Sequence, residues 1–125
     1  MNTLRHLNVS KATGLDKIPA KMLRIAADII APSLTYIFNL SISTGVFVYN
    51  WKDARVIPIF KEGDRRTLGN YRPISVLPIV SKVFEKEIFK QLYKHLNDNN
   101  LISKFQSGFR PGHSTITALI QMCDN

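Results

Sequence analysis

Two apolar runs separated by a charged loop constrain the fold of this chain more than any other feature. The runs, Ala54–Phe60 and Tyr71–Leu77, are rich in β-branched and aromatic residues, which is typical of strands. The intervening residues 61–70 are charged and contain two glycines. The pattern therefore predicts two strands joined by a basic loop. The loop is too long for a tight turn, and ligand contacts concentrate on such loops.

Three residues define what this hairpin is expected to do. Pro58 has no N–H to donate, so the first strand should lie at a sheet edge or carry a bulge. Lys61 and Arg72 stand near the two bases of the loop, and lysine ammonium and arginine guanidinium groups both suit phosphate oxygens. Held on neighbouring strands they would clamp a triphosphate. The alternative is an exposed basic hairpin without a ligand.

Helical periodicity surrounds the hairpin on both sides. Helices are predicted over residues 20–30, 32–44, 79–97 and 115–122. Asp16 is expected to cap the first helix and Pro19 to lie in its first turn, whereas Pro32 should begin the second helix and Gly45 should end it. Ser114 is expected to cap the last helix. Strands and helices together indicate an α+β fold.

Aromatic and basic side chains outside the hairpin each allow two interpretations. Phe47, Tyr49 and Trp51 alternate with smaller residues, and core packing is favoured over a nucleic-acid platform. Lysines follow i,i+4 spacing along the third predicted helix, where a solvated face is favoured over a phosphate-binding ridge. They are Lys82, Lys86, Lys90 and Lys94.

Composition sets the broad class of the protein. The 125 residues suffice for one domain or part of one, and the net charge of +8 favours a polyanionic partner, although a basic protein without one is equally compatible. Cys123, the single cysteine, is expected in the core and excludes an intrachain disulfide. Residues 1–10 do not form a secretory signal, and we expect them to be poorly ordered or packed elsewhere. Without a signal peptide the protein is expected inside the cell, in the nucleus or the cytoplasm. No run is long enough to span a membrane.

Residue patterns of catalysis are missing from the sequence. No two aspartates are neighbours, and no aspartate pair follows a strand to hold Mg²⁺. The three histidines are scattered, and His95 and His113 are expected at the surface. Neither a Walker loop nor a dinucleotide glycine fingerprint is present. We therefore assign no catalytic or metal-binding residue, and the sequence by itself favours binding over catalysis.

Four motifs in order resemble the N-terminal half of a reverse transcriptase domain of the non-LTR retrotransposon type (LINE, jockey-like). They are Gly14–Pro19, Trp51–Asp64, Asn70–Ser75 and Gln106–Arg110 followed by Ser114-Thr115. The first resembles the entry motif of that family, usually Gly-Pro-Asp-Gly-Ile-Pro, from which Leu15 and Lys17 depart. The resemblance covers the chain from about Lys11 to its end. It divides the sequence into an N-terminal extension, 1–10, and a partial reverse transcriptase domain, 11–125.

The resemblance implies a right-hand polymerase fold, of which this chain would be an incomplete part. It would supply the helical N-terminal region, the fingers β-hairpin with its helices, and the start of the palm. Lys61 and Arg72 would face the incoming deoxynucleotide triphosphate. The template path would follow Gln106, Gly108, Phe109 and Arg110. The implied partners are an RNA template, a DNA primer, deoxynucleotide triphosphates and a C-terminal continuation of the polymerase, with no membrane.

The catalytic aspartates of this family lie in motifs that the sequence does not contain. The full-length enzymes of the family are expected to use Mg²⁺ through those carboxylates, and Asp124 does not fit their pattern. The chain is therefore expected to contribute nucleotide and template contacts to an RNA-directed DNA polymerase and to be inactive alone. The alternative is a truncated retroelement remnant that serves as a nucleic-acid-binding or interaction module, or is inert.

Overall fold

Five α-helices and two β-strands form the α+β architecture of this protein, together with 3-10 turns at Tyr49–Trp51 and Leu68–Asn70. A computed structural model describes residues 2–103 and 105–123. The helices and strands are α1 (Asn2–Arg5), α2 (Ala20–Ile25), α3 (Ala27–Thr44), β1 (Arg55–Phe60), β2 (Tyr71–Val76), α4 (Ile79–Asp98) and α5 (Thr115–Cys123). The chain divides into two compact units, residues 1–88 and residues 89–125. No helix in the described residues is long and apolar enough to cross a membrane.

The β1–β2 hairpin confirms the predicted pair of strands to within one residue at each end. The strands are antiparallel and in continuous register from Arg55 opposite Val76 to Phe60 opposite Tyr71. Pro58 lies opposite Pro73 without a bulge. Both strands are edges of a two-stranded sheet, so the edge position expected for Pro58 is confirmed.

The core of the first unit joins α1, α2 and α3 to the start of α4. Its buried apolar residues are Leu4, Ala20, Leu23, Ala27, Phe38, Ile79, Val80, Val83 and Phe84. Leu4 is completely buried, so the N-terminal segment packs into the core instead of lying loose. Burying a leucine side chain contributes about 1.5–3 kcal/mol, which holds this short helix in place.

Four aromatic rings connect α3, the segment that follows it, and α4. The Phe38 ring centroid lies 4.8 Å from that of Phe84 and 5.5 Å from that of Trp51, and Phe47 lies 5.6 Å from Phe84. Core packing, the favoured interpretation, is therefore confirmed for Phe47 and Trp51. Tyr49 is exposed.

The break between α2 and α3 does not fall where the sequence predicted it. Pro32 lies inside α3, and the chain turns earlier, at Ala26, where φ is −82° and ψ is 4°. A proline inside a helix costs about 3 kcal/mol. One continuous helix, however, carries both Ala27 and Phe38 into the core, and this packing overrides the local signal. Gly45 ends α3 in the left-handed conformation, as predicted.

The loop before α2 is built from the entry motif and departs from prediction at Asp16. The Asp16 carboxylate accepts a hydrogen bond from the Ile18 N–H at 3.3 Å, and it does not cap α2, whose N-cap is Pro19. Gly14 is buried against the end of the hairpin, where an added Cβ would lie 2.6 Å from the Pro78 nitrogen. Lys17 has a φ of 57°, a left-handed conformation that glycine adopts more readily.

The second unit contains the C-terminal part of α4, a loop and α5. Asn100 ends α4 in the left-handed conformation, and the Leu101 N–H donates to the Leu96 carbonyl at 2.8 Å, which is a Schellman motif. The Ser114 hydroxyl accepts from the Thr117 N–H at 3.2 Å, so the predicted cap of α5 is confirmed. Cys123 is exposed, and its expected place in the core is wrong.

Candidate functional site

The hairpin places Lys61 and Arg72 on the same face. Arg72 lies directly opposite Ile59, and side chains opposite one another in an antiparallel pair share a face. The Lys61 N–H donates to the Asn70 carbonyl at 2.8 Å, so the pairing continues one step beyond β1. Lys61 stands two residues after Ile59 and is diagonal to Arg72, at a Cβ separation of about 7–8 Å for such positions. The two predicted phosphate-binding residues are thus neighbours.

The two cations differ in what surrounds them. Lys61 Nζ lies 2.8 Å from Glu62 Oε1, and the side chains are 47% and 71% exposed, which makes a solvated ion pair. Arg72 is exposed and takes part in none of the ion pairs that join described residues. The face therefore presents one uncompensated guanidinium and one ammonium group whose partner is its neighbour in sequence.

Asn70 fixes the loop that joins the two strands. Its side-chain amide donates to the Asp64 carbonyl at 2.8 Å, and its backbone N–H donates to the Thr67 carbonyl at 3.1 Å. Gly63 has a φ of 85°, and an added Cβ there would lie 2.7 Å from Asn70 Nδ2. The loop is consequently folded on itself, although all its residues from Lys61 to Gly69 are exposed.

The opposite face of the hairpin carries aromatic rings and a second arginine. Phe60 and Tyr71 pack with ring centroids 5.5 Å apart, and the Arg65 guanidinium carbon lies 4.9 Å from the Phe60 centroid. The Tyr71 hydroxyl donates to the Arg65 carbonyl at 2.9 Å. An open cavity of about 380 Å³ follows on this face, lined by Pro58, Arg65, Leu68, Tyr71 and Pro73.

The loop predicted to follow the template lies in the second unit. Arg110 Nη1 donates to the carbonyls of Ser103 and Gln106 at 3.3 and 3.4 Å, so its guanidinium group organises the loop. Phe109 is fully exposed and has a φ of 61°. Gly108 faces open space, since nothing lies within 4 Å of an added Cβ. Gln106 is exposed.

Carboxylates and histidines do not gather in the described part of the chain. No three His, Cys, Asp or Glu side chains among these residues come close enough together to hold a metal ion. His95 and His113 are both exposed, as expected. Asp124 lies outside the described residues.

The sequence predicted the two cations of the hairpin but not the contacts that order the loop and the opposite face. Asn70 stood inside a recognised motif, yet its bond to the Asp64 carbonyl depends on loop geometry that composition does not encode. The ring pair of Phe60 and Tyr71 had a usable signal, because the last residue of one strand and the first of the next face each other in a hairpin.

Comparison with known proteins shows which sequences this chain resembles. Over 115 residues the chain is 36% identical to the RNA-directed DNA polymerase from mobile element jockey of Drosophila melanogaster, covering 91% of this chain and 13% of the relative. It is 33% identical over 110 residues to the corresponding jockey protein of Drosophila funebris, covering 87% and 12%. It is also 34% identical over 111 residues to a Drosophila melanogaster protein named "Probable RNA-directed DNA polymerase from transposon X-element", covering 88% and 12%. No protein-family model matches the chain.

The chain is homologous to one segment of the RNA-directed DNA polymerases of jockey-like, non-LTR retrotransposons. It spans only about one eighth of the length of the relatives that it matches, at 13%, 12% and 13%.

Proposed function

We propose that this chain is the segment of a retrotransposon RNA-directed DNA polymerase that contacts the incoming deoxynucleotide triphosphate and the template. The supporting observation is the shared hairpin face of Lys61 and Arg72, within a chain homologous to such polymerases. Residues 11–125 would form part of a right-hand polymerase fold, the fingers and the start of the palm. Residues 1–10 precede that domain, with Leu4 packed into the core.

The two cations would contact different oxygens of the triphosphate. Arg72 offers a planar fork of donors that suits two oxygens at once, and Lys61 offers a mobile point charge. An exposed ion pair such as that of Lys61 with Glu62 contributes about 0–1 kcal/mol. A triphosphate therefore displaces the Glu62 carboxylate at little cost.

The template and the metal enter this proposal differently. The template strand would pass along the loop of Gln106, Gly108, Phe109 and Arg110, where the exposed Phe109 ring offers a stacking surface for a base. Mg²⁺ in polymerases of this kind neutralises charge on the phosphates during transfer. The described residues bring no set of carboxylates together to hold it, so the proposal assigns Mg²⁺ to no residue of this chain. The primer terminus and the rest of the polymerase would be further partners.

A nucleotide titration tests the proposal. Binding of a deoxynucleotide triphosphate to the chain is measured by calorimetry for the wild type, Arg72→Ala and Arg24→Ala. Arg24→Ala is the control, because Arg24 is an exposed arginine of the same compact unit and its removal lowers the net charge by the same amount. Losing a charge-assisted hydrogen bond of about 1.5–3 kcal/mol predicts at least about tenfold weaker binding for Arg72→Ala. Equal affinities of the two variants would contradict the proposal.

A second candidate function is favoured by the net charge of +8. In this alternative the chain is a retroelement remnant that binds single-stranded RNA without a nucleotide site. The same three proteins, titrated with RNA at several salt concentrations, distinguish the two. RNA binding without triphosphate binding supports the remnant, and binding of neither ligand supports an inert one.

A further inference from the structure

A cavity of about 310 Å³ opens in the first compact unit between the N-terminal segment and the start of α4. His6 and Lys11 line it from one side, and Lys82 and Lys86 line it from α4. Its volume is at the lower end of the range of ligand pockets, about 300–1,000 Å³. None of its lining residues belongs to the hairpin face of Lys61 and Arg72.

The charge of this cavity has one sign. Every ionisable side chain that lines it is basic, and no aspartate or glutamate takes part in the lining. The ion pairs of Arg5, Lys61 and Lys94 do not involve Lys11, Lys82 or Lys86. Lys82 and Lys86 stand one helical turn apart, a spacing at which like charges repel. A bound anion removes that repulsion.

The two carboxylates nearest in sequence both accept hydrogen bonds from hydroxyl groups. Glu85 Oε1 accepts a hydrogen bond from the Ser81 hydroxyl at 3.4 Å. The Glu87 carboxylate accepts one from the Thr3 hydroxyl, a contact that joins the N-terminal segment to α4. Thr3 itself lines the cavity, so this contact holds its wall in place and sets the Glu87 carboxylate beside it. Lys82 and Lys86 are neighbours on one helix, whereas Lys11 joins them through tertiary structure.

The floor of the cavity is apolar. Ala20, Ile79 and Val83 are 1–3% exposed and belong to the core, and Leu7 at the side is half-buried. Lysine side chains add their own aliphatic stems to such a surface while the ammonium groups reach water. A small inorganic anion would use the cations and leave this surface uncovered, whereas a ligand with a flat apolar part covers both.

We propose that this cavity binds one nucleotide of a single-stranded nucleic acid. The phosphate lies among Lys11, Lys82 and Lys86, and the base lies over the apolar floor. Lys82 is half-buried, whereas Lys90 and Lys94, which lie on the same helix outside the cavity, are exposed. The site is separate from the hairpin, so it stands or falls independently of the proposed triphosphate contacts.

The test uses the full chain and a labelled short single-stranded RNA, with affinity measured by fluorescence anisotropy at several salt concentrations. The double variant Lys82→Gln, Lys86→Gln is compared with Lys90→Gln, Lys94→Gln, which has the same spacing on the same helix and the same loss of charge. We expect at least about tenfold weaker binding and a lower salt slope, by about 0.7 per lost phosphate contact, for the cavity variant alone. Equal losses in both variants would overturn the site, because diffuse charge would then explain the binding.

Further arms identify the ligand. A strand without bases should bind more weakly than the normal strand, and equal binding would reject the base-over-floor arrangement. Amide NMR shifts of the wild-type chain with free mononucleotide or inorganic phosphate locate the site without any substitution. Shifts around Lys11, Lys82 and Lys86 with the mononucleotide support the proposal, and their absence overturns it. The cavity variant is also made in the Arg72→Ala background, where its effect should persist if the two sites are independent.

Discussion

Pro58 lies directly opposite Pro73 in the hairpin, so both strands lack a backbone donor at the same level. The Lys61 N–H bonds to the Asn70 carbonyl, and hydrogen-bonded and non-hydrogen-bonded pairs alternate along antiparallel strands. Counting back from that pair puts the two prolines at a non-hydrogen-bonded position. No ladder bond is lost there. The missing donors are instead those of the two outer edges, where another strand would attach.

Restoring the edge donors should make the chain self-associate. In the double variant Pro58→Val, Pro73→Val, the hairpin keeps its register because valine suits strands, while each outer edge gains an N–H. We expect concentration-dependent dimers or larger species in analytical ultracentrifugation.

The matched control for this prediction is Ser75→Val. It adds a valine to β2 on the same face as Pro73 and leaves the number of edge donors unchanged. If the control associates as strongly as the double variant, added apolar surface is the cause and the explanation from edge donors is wrong.

Replacing Lys17 by glycine should stabilise the fold. Lys17 has a φ of 57°, a left-handed conformation that costs a residue with a side chain about 1–2 kcal/mol. The greater freedom of glycine in the unfolded chain opposes this gain, so we expect a net rise of about 0.5–1 kcal/mol in the free energy of unfolding, measured with urea.

The control for Lys17→Gly is the same substitution in a helix. Lys21 is exposed in the first turn of α2, where glycine should lower stability by up to about 1 kcal/mol. Opposite signs at the two positions support the conformational explanation, and a loss of stability at both contradicts it.

Gly14→Ala should destabilise the chain, because the new Cβ would lie 2.6 and 2.7 Å from backbone atoms of Pro78. Backbone has to move to relieve such contacts, and overpacking of this kind costs about 1–3 kcal/mol. Gly69→Ala is the matched control, since nothing lies within 4 Å of its added Cβ. Equal midpoints for both variants in urea unfolding would refute the close approach.

Truncating Phe84 should be among the most damaging changes in the first unit. Phe84 is 2% exposed, and its ring contacts those of Phe38, Phe47 and Trp51. Phe84→Ala should lower the free energy of unfolding by about 3–5 kcal/mol, enough to abolish cooperative thermal unfolding in a marginal domain. Phe89→Ala, on the same helix but 59% exposed, should have little effect. Similar melts for the two variants would show that the ring cluster is not the source of stability.

The isolated chain should not extend a primer in the presence of Mg²⁺ and deoxynucleotide triphosphates. Its sequence has no aspartate pair following a strand, and the described residues bring no three potential ligands together. A primer-extension assay measures this directly, with a complete reverse transcriptase as the positive control. Robust Mg²⁺-dependent synthesis by the purified chain would contradict the prediction.

Local chemistry explains why part of this fold was predictable from the sequence. The strands, the length of α4 and the ends of α3 and α5 depend on nearby residues such as Gly45 and Ser114, whose effects do not require knowledge of the whole fold. The α2–α3 break was not predictable in this way. Pro32 gave the stronger local signal, and the burial of Ala27 and Phe38 on one helix overrode it.

The same distinction between local and long-range interactions applies to the candidate sites. The types of Lys61 and Arg72, and their places at the bases of a loop, can be inferred from the sequence, and strand register then puts them on one face. The cavity that joins Lys11 to Lys82 and Lys86 cannot be inferred so, because it depends on Leu4 entering the core and on the contact of Thr3 with Glu87. Contacts between residues far apart in sequence carry no local signature. For Cys123 the sequence misled in the other direction: its apolar neighbours in sequence predicted a place in the core, but its side chain is exposed.

The hydrogen bonds of Asn70 also affect the thermodynamics of ligand capture. Asn70 is hydrogen-bonded to the carbonyls of Asp64 and Thr67, so the backbone of the loop is already ordered before a ligand binds. The loop therefore loses little further conformational entropy when a ligand binds, and the ligand should dock on a preformed surface without inducing folding of the loop. Its heat-capacity change should accordingly be small, since little apolar surface becomes buried on binding.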